Sequence, residues 1–146
     1  MTFLIRDAAP KDHPQWAPLW EGYLAFYESA LDPAVTDTAW ARLNDPVEPM
    51  FALVAEDEAG KLIGFVHCVL HRGTWSIGNF CYLEDLFVAP EARGSGAGRA
   101  LIEAVYARAD ALDCGRVYWL THETNTAARK LYDQVAHHHG FIQYRR

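Results

Sequence analysis

The run Arg93-Gly-Ser-Gly-Ala-Gly-Arg99 stands between an apolar stretch ending at Pro90 and a segment of helical periodicity. Alternating glycines let the backbone curve tightly with no side chain in the way, so several N–H groups can converge on one concave spot. A helix beginning directly behind them adds unpaired donors and the positive end of its dipole. Arg93, Gly94, Ser95, Gly96, Ala97, Gly98 and Arg99 therefore suit a phosphate or pyrophosphate. A P-loop would require Lys and Ser or Thr after the last glycine, and Arg99-Ala100 stands there instead. A dinucleotide fingerprint would open its domain and place an acidic ribose ligand about 20 residues on. Here the loop comes late and is followed by Cys114-Gly115-Arg116.

Two carboxylates, Glu84 and Asp85, interrupt the apolar run from Tyr82 to Val88. Carboxylates in an apolar strand are costly unless each has a partner or a task. Strict alternation puts Tyr82, Glu84 and Leu86 on one face and Leu83, Asp85 and Phe87 on the other. Pairing with Arg93 or Arg116 would be a structural use. Glu84 taking a substrate proton, directly or through water, would be a catalytic one. Further on, Asn125 and Tyr132 are separated by a spacing of about seven, which at 100° per residue returns to nearly the same helix face. Both can look into one groove, and small Ala128 between them leaves room for a ligand. His137-His138-His139 make no metal site, because consecutive helical residues diverge by about 100°. They read as a fraying helix end.

The elements that must position these groups follow from periodicity. Phe3 to Arg6 reads as a short strand. Trp16, Leu19, Trp20, Tyr23, Leu24 and Tyr27 recur at three and four, predicting a helix from about Pro14 to Ser29. Asp32-Pro33 breaks the chain, and Thr36 with Asp37 can cap a second short helix to Leu43. Phe51–Glu56 and Leu62–Leu70 read as strands joined by a turn at Asp57–Gly60. The carboxylate-bearing strand follows, then a helix from the glycine loop to about Leu112. Arg116–Thr121 as a strand, a helix from Asn125 to about His138 and a last strand at Phe141–Arg145 complete the order. That order predicts one α/β (α+β) domain over residues 1–146, with a mixed sheet flanked by helices.

A chain of 146 residues can bury a sizeable core without staples. Its net charge of −6 argues against a nucleic-acid or anionic-membrane surface and mildly favours a cationic partner. No apolar run of about 18 residues predicts a membrane span, and the N-terminus lacks the pattern of a signal peptide. Cys68, Cys81 and Cys114 lie in apolar stretches and read as core residues of a cytoplasmic protein.

The pattern Arg-x-x-Gly-x-Gly behind an apolar strand, with Asn125-x-x-Ala128-x-x-Leu131-Tyr132 and Gly140-Phe141 later, resembles the GNAT acetyltransferases over nearly the whole chain. The resemblance implies a sheet of about six strands flanked by four helices. It implies acetyl-CoA as cosubstrate, with pyrophosphate on Arg93–Arg99 and the pantetheine arm near Asn125 and Ala128. An oxyanion donor would come from the backbone at Leu86, Phe87 or Val88, where the fourth strand bulges and leaves the fifth. Tyr132 would protonate the departing thiolate and Glu84 would act as base. No Cys or Ser stands as a nucleophile, so transfer would be direct, with no metal.

The run around Trp75 and Tyr82-Leu-Glu-Asp85, and Leu24-Ala-Phe-Tyr27-Glu28, is similar to diamine and thialysine acetyltransferases. That likeness implies a small cationic amine acceptor bound by Tyr27, Glu28, Trp75, Glu84 and Asp85, and a homodimer. The acidic C-terminal extension of the diamine enzymes is missing. A peptide lysine or N-terminal acetyltransferase, and a silent acetyl-CoA-binding sensor, stay open as alternatives.

Overall fold

The computed structural model describes residues 2–146. Its spine is a five-stranded sheet whose order follows the chain, β1 to β5. β1 (Phe3–Asp7), β2 (Met50–Asp57), β3 (Leu62–His71) and β4 (Phe80–Val88) pair antiparallel in succession. β5 (Arg116–Tyr118) runs parallel to β4. Helices α1 (His13–Phe26) and α2 (Pro33–Leu43) fill the β1–β2 connection. α3 (Ala97–Ala111) follows the glycine loop, and α4 (Thr126–Val135) follows β5.

Two apolar layers hold the sheet. Leu101, Ile102, Val105 and Ala109 of α3, spaced to share one helix face, pack on Leu53, Val66, Cys68, Cys81 and Leu83. On the opposite face, Trp16, Leu19 and Trp20 of α1 pack on Val54, Phe65 and Phe87. Trp16 is wholly buried; burial of such a side chain stabilises by about 2–3 kcal/mol. The start of α1 is tied to the sheet by Arg6, which donates two 2.8 Å bonds to Asp12 and one of 2.7 Å to Glu56. The guanidinium holds the Asp12 carboxyl below the usual range, so this bidentate contact is charge-assisted throughout the neutral region.

Several boundaries differ from expectation. Asp32 caps α2 by accepting from the Ala34 N–H at 2.8 Å, so the helix begins at Pro33, before Thr36 and Asp37. β5 ends at Tyr118 because β4 turns away beyond Tyr82 and no other strand flanks it among the described residues. Phe141–Arg145 forms no strand, for the same want of a partner. Phe141, Ile142 and Tyr144 are exposed.

Candidate active site

The parting of β4 from β5 opens the site. The two strands pair only from Phe80 to Tyr82 opposite Arg116 to Tyr118. From Leu83 to Val88 the β4 edge has no strand on that side among the described residues. Leu86, Phe87 and Val88 lie on this open edge.

A β-bulge sets what faces the opening. Leu83 pairs with Cys68 and Asp85 pairs with His67, leaving Glu84 as the extra residue. The bulge was expected among Leu86–Val88; it lies at Glu84. It also overturns the alternation of faces. Cys81 and Leu83 pack on the α3 side, and beyond the bulge Leu86 and Val88 do so. Phe87 packs with α1, and Asp85 bonds to His67 beneath Trp16 and Trp20. One inserted residue restores the apolar parity and turns both carboxylates toward the α1 side. Neither pairs with an arginine: Arg93 lies over Phe87 and bonds to the Val88 carbonyl at 3.2 Å, and Arg116 lies over Phe80.

Hydroxyls face the carboxylates. Burial, then the Asp85 charge, pushes the Tyr23 and Tyr27 phenols up. Burial and Asp85 likewise raise the Glu84 carboxyl, although Glu84 reaches solvent. Tyr132 of α4 is half-buried, with its ring edge-on to Trp119 at 5.4 Å. Burial and then nearby Tyr27 push its phenol up to about 12, so its hydroxyl keeps its proton at neutral pH. Tyr27 also lies 5.9 Å from the His122 ring. The groove thus has β4 as floor, Tyr23 and Tyr27 of α1 on one side, and His122 and Tyr132 on the other.

The glycine loop stands beyond the end of β4. Gly94 and Gly96 have φ of +79° and +88°, a left-handed backbone that other residues adopt with strain. Gly96 is the N-cap of α3. Among the described residues, the N–H groups of Gly94, Gly96, Gly98 and Arg99 have no hydrogen-bond acceptor, whereas Ala97 N–H reaches Ser95 Oγ at 3.4 Å. Four free donors at a helix N-terminus fit a pyrophosphate. Gly98 is flanked by Val88 of β4 and Leu131 of α4, so the loop, the open edge and Tyr132's helix adjoin. Asn125 stands at the N-cap position of α4, its side chain donating back to Thr121 Oγ1 at 3.2 Å rather than capping the helix, and Ala128 lies half-buried one turn on.

Not every expected residue joins this group. Trp75 is 85% exposed in the loop between β3 and β4, and Glu28 is exposed past the end of α1 with φ +51°. Tyr23, His67 and His122 join the site without standing among the expected site residues. Tyr23 carried a signal, as the next member of the Trp16–Trp20 stripe; His67, inside an apolar strand, carried none. No group of three or more His, Cys, Asp or Glu side chains among the described residues could hold a metal ion.

The fold, the glycine loop and the parted strands define an acyltransferase domain. The model of the Acetyltransferase (GNAT) family matches residues 15–137, and the chain belongs to that family. It is an acetyl-CoA-dependent N-acetyltransferase. It is 38% identical over 144 residues to the D-amino-acid N-acetyltransferase HPA3 of Saccharomyces cerevisiae, covering 98% of this chain and 89% of that protein. An aminoglycoside N(6')-acetyltransferase type 1 of Stenotrophomonas maltophilia is 37% identical over 109 residues, 70% of this chain and 65% of its own. The structure of AAC(6')-Iy with a bisubstrate analogue superposes with a TM-score of 0.83, covering 100% of this chain and 98% of that one. At 20% identity that likeness speaks for the fold alone.

Proposed function

We propose that the acceptor is the primary amine of a small cationic molecule and that the acetyl group passes to it by direct attack. The observation that carries this reading is the bulge, which turns Glu84 and Asp85 together toward Tyr23 and Tyr27. The relatives named for D-amino acids and aminoglycosides also take small amines. Diamines, implied by the resemblance of the Tyr82–Asp85 run, are further acceptor candidates beside these.

An amine of pKa near 10 is almost wholly protonated at neutral pH, and supplying its free base is worth about 4 kcal/mol. Glu84 is the base: its carboxyl is raised toward the working pH and remains open to solvent, through which the proton leaves. The backbone edge Leu86–Val88 offers donors to the developing oxyanion. Gly94–Arg99 seats the pyrophosphate, with Arg93 adding charge, while Asn125 and Ala128 border the pantetheine arm. Tyr132 donates its hydroxyl proton toward the departing sulfur.

Glu84→Gln tests the base. Its kcat should fall about a hundredfold near neutral pH, the loss shrinking as pH rises toward the amine's own value. Loss confined to KM and relieved by salt would instead make Glu84 only an attractor. Stability should move the other way. A carboxyl raised in the fold leaves the protein most stable below the unfolded carboxylate value, and that stability is lost as pH rises through the folded one. Glutamine removes the titration, so Glu84→Gln should melt slightly higher than the parent at pH 7 and no higher at about pH 4.

A further inference from the structure

Behind the bulge, His67 is 3% exposed, packed against Phe65 with ring centroids 4.4 Å apart and Trp20 at 5.3 Å. Its Nε2 lies 3.0 Å from Trp16 Nε1. An indole nitrogen can only donate, so His67 Nε2 presents its lone pair. The ring's proton is therefore on Nδ1, and Nδ1 lies 2.9 Å from Asp85 Oδ2. Trp16 thus fixes the tautomer, and a second proton on the ring would set N–H against N–H in a buried aromatic shell. The neutral ring orients Asp85 without cancelling its charge.

The groups that face Asp85 are Glu84 and Tyr82 on its own strand and the Tyr23 and Tyr27 hydroxyls of α1. Among the described residues no lysine or arginine forms an ion pair with Asp85 or Glu84. The two carboxylates differ in two respects. Asp85 has one oxygen committed to His67 and is nearly buried, whereas Glu84 has no hydrogen-bond partner among the described residues and reaches solvent.

We propose that Trp16 and His67 are positioning residues that hold Asp85 as a fixed, uncompensated carboxylate seating the acceptor's ammonium, while Glu84 takes its proton. This rests on the reading that the Glu84–Asp85 face receives a cationic amine, and it assigns the two carboxylates separate tasks. The proton passes from R–NH3+ to the Glu84 carboxylate, leaving R–NH2 beside Asp85.

The imidazole is read directly by 15N spectra of the histidine-labelled wild-type protein at neutral pH. They should show a buried ring protonated on Nδ1 with a bare, hydrogen-bonded Nε2, and Trp16→Phe should shift the Nε2 signal. A proton on Nε2, or a doubly protonated ring, would overturn the proposal even if no variant folds. In kinetics with the best amine acceptor found, His67→Leu should raise acceptor KM about tenfold or more and change kcat less. His67→Asn, whose amide can donate from near the Nδ1 position, should restore most of that KM. A folded His67→Leu with parental KM, while Asp85→Asn raises it, overturns the relay and leaves the amine reading standing. Unchanged KM in both His67→Leu and Asp85→Asn, together with an unchanged kcat in Glu84→Gln, would overturn both.

Discussion

In the reaction proposed above, Tyr132 is the residue on which the last step turns. Held by Trp119 and shielded by the protein, its phenol is pushed up to about 12. It is therefore present as a donor at every pH at which an amine acetyltransferase works. A thiol has an ordinary pKa near 8.5, so in the proposed role the phenol would serve better as a hydrogen-bond donor to sulfur in the transition state than as an equilibrium acid. Tyr132→Phe removes one hydroxyl and little volume. Its kcat should drop at least about tenfold while CoA affinity by calorimetry stays within about twofold of the parent. An unchanged kcat would hand the role to water. Spacing alone puts Tyr132 and Asn125 on one helix face, while the roles proposed for them come from the family resemblance. The side on which Asp85 stands was not legible, because a bulge leaves no mark in an alternating strand.

At the scale of the element, β4 joins two regular strand halves through one inserted residue. Leu83 and Asp85 already face neighbouring β3 residues, Cys68 and His67. Deleting Glu84 would therefore join the halves into a continuous ladder with every apolar side chain on its present face. The deletion variant should fold, melting within about 5 °C of the parent, yet lose at least about a hundredfold in kcat/KM. Collapse of the fold would show that the bulge is structural. A strand without the bulge would need that same deletion to reverse one half of the core. The elements themselves were readable: four helices and five strands lie where periodicity placed them. The last strand failed because strand formation needs a neighbour, and sequence reports propensity without reporting partners.

At the scale of the molecule, the apolar surface left uncovered has a definite distribution. Trp75 and Ile77 are 85% and 101% exposed in the β3–β4 loop, and Phe141 and Ile142 are 88% and 75% exposed near the C-terminus. Large exposed apolar side chains in groups mark surfaces that associate, and twofold pairing is the commonest closed symmetry. We propose a homodimer. Light scattering at micromolar concentration should give about twice 16.5 kDa, and a mass of one chain would refute it. The net charge of −6 acts at the same scale and would draw the proposed cationic acceptor toward a groove that holds two carboxylates.

The most direct test of acetyl transfer to a small cationic amine is turnover of acetyl-CoA across one acceptor panel. The panel should contain D-amino and L-amino acids, lysine analogues, diamines, an aminoglycoside and a lysine-bearing peptide, each followed by thiol release. At least one small amine should exceed the peptide in kcat/KM by about a hundredfold, and Glu84→Gln should lose that activity near neutral pH. Turnover confined to the peptide, or CoA binding with no turnover on any amine, would contradict the account.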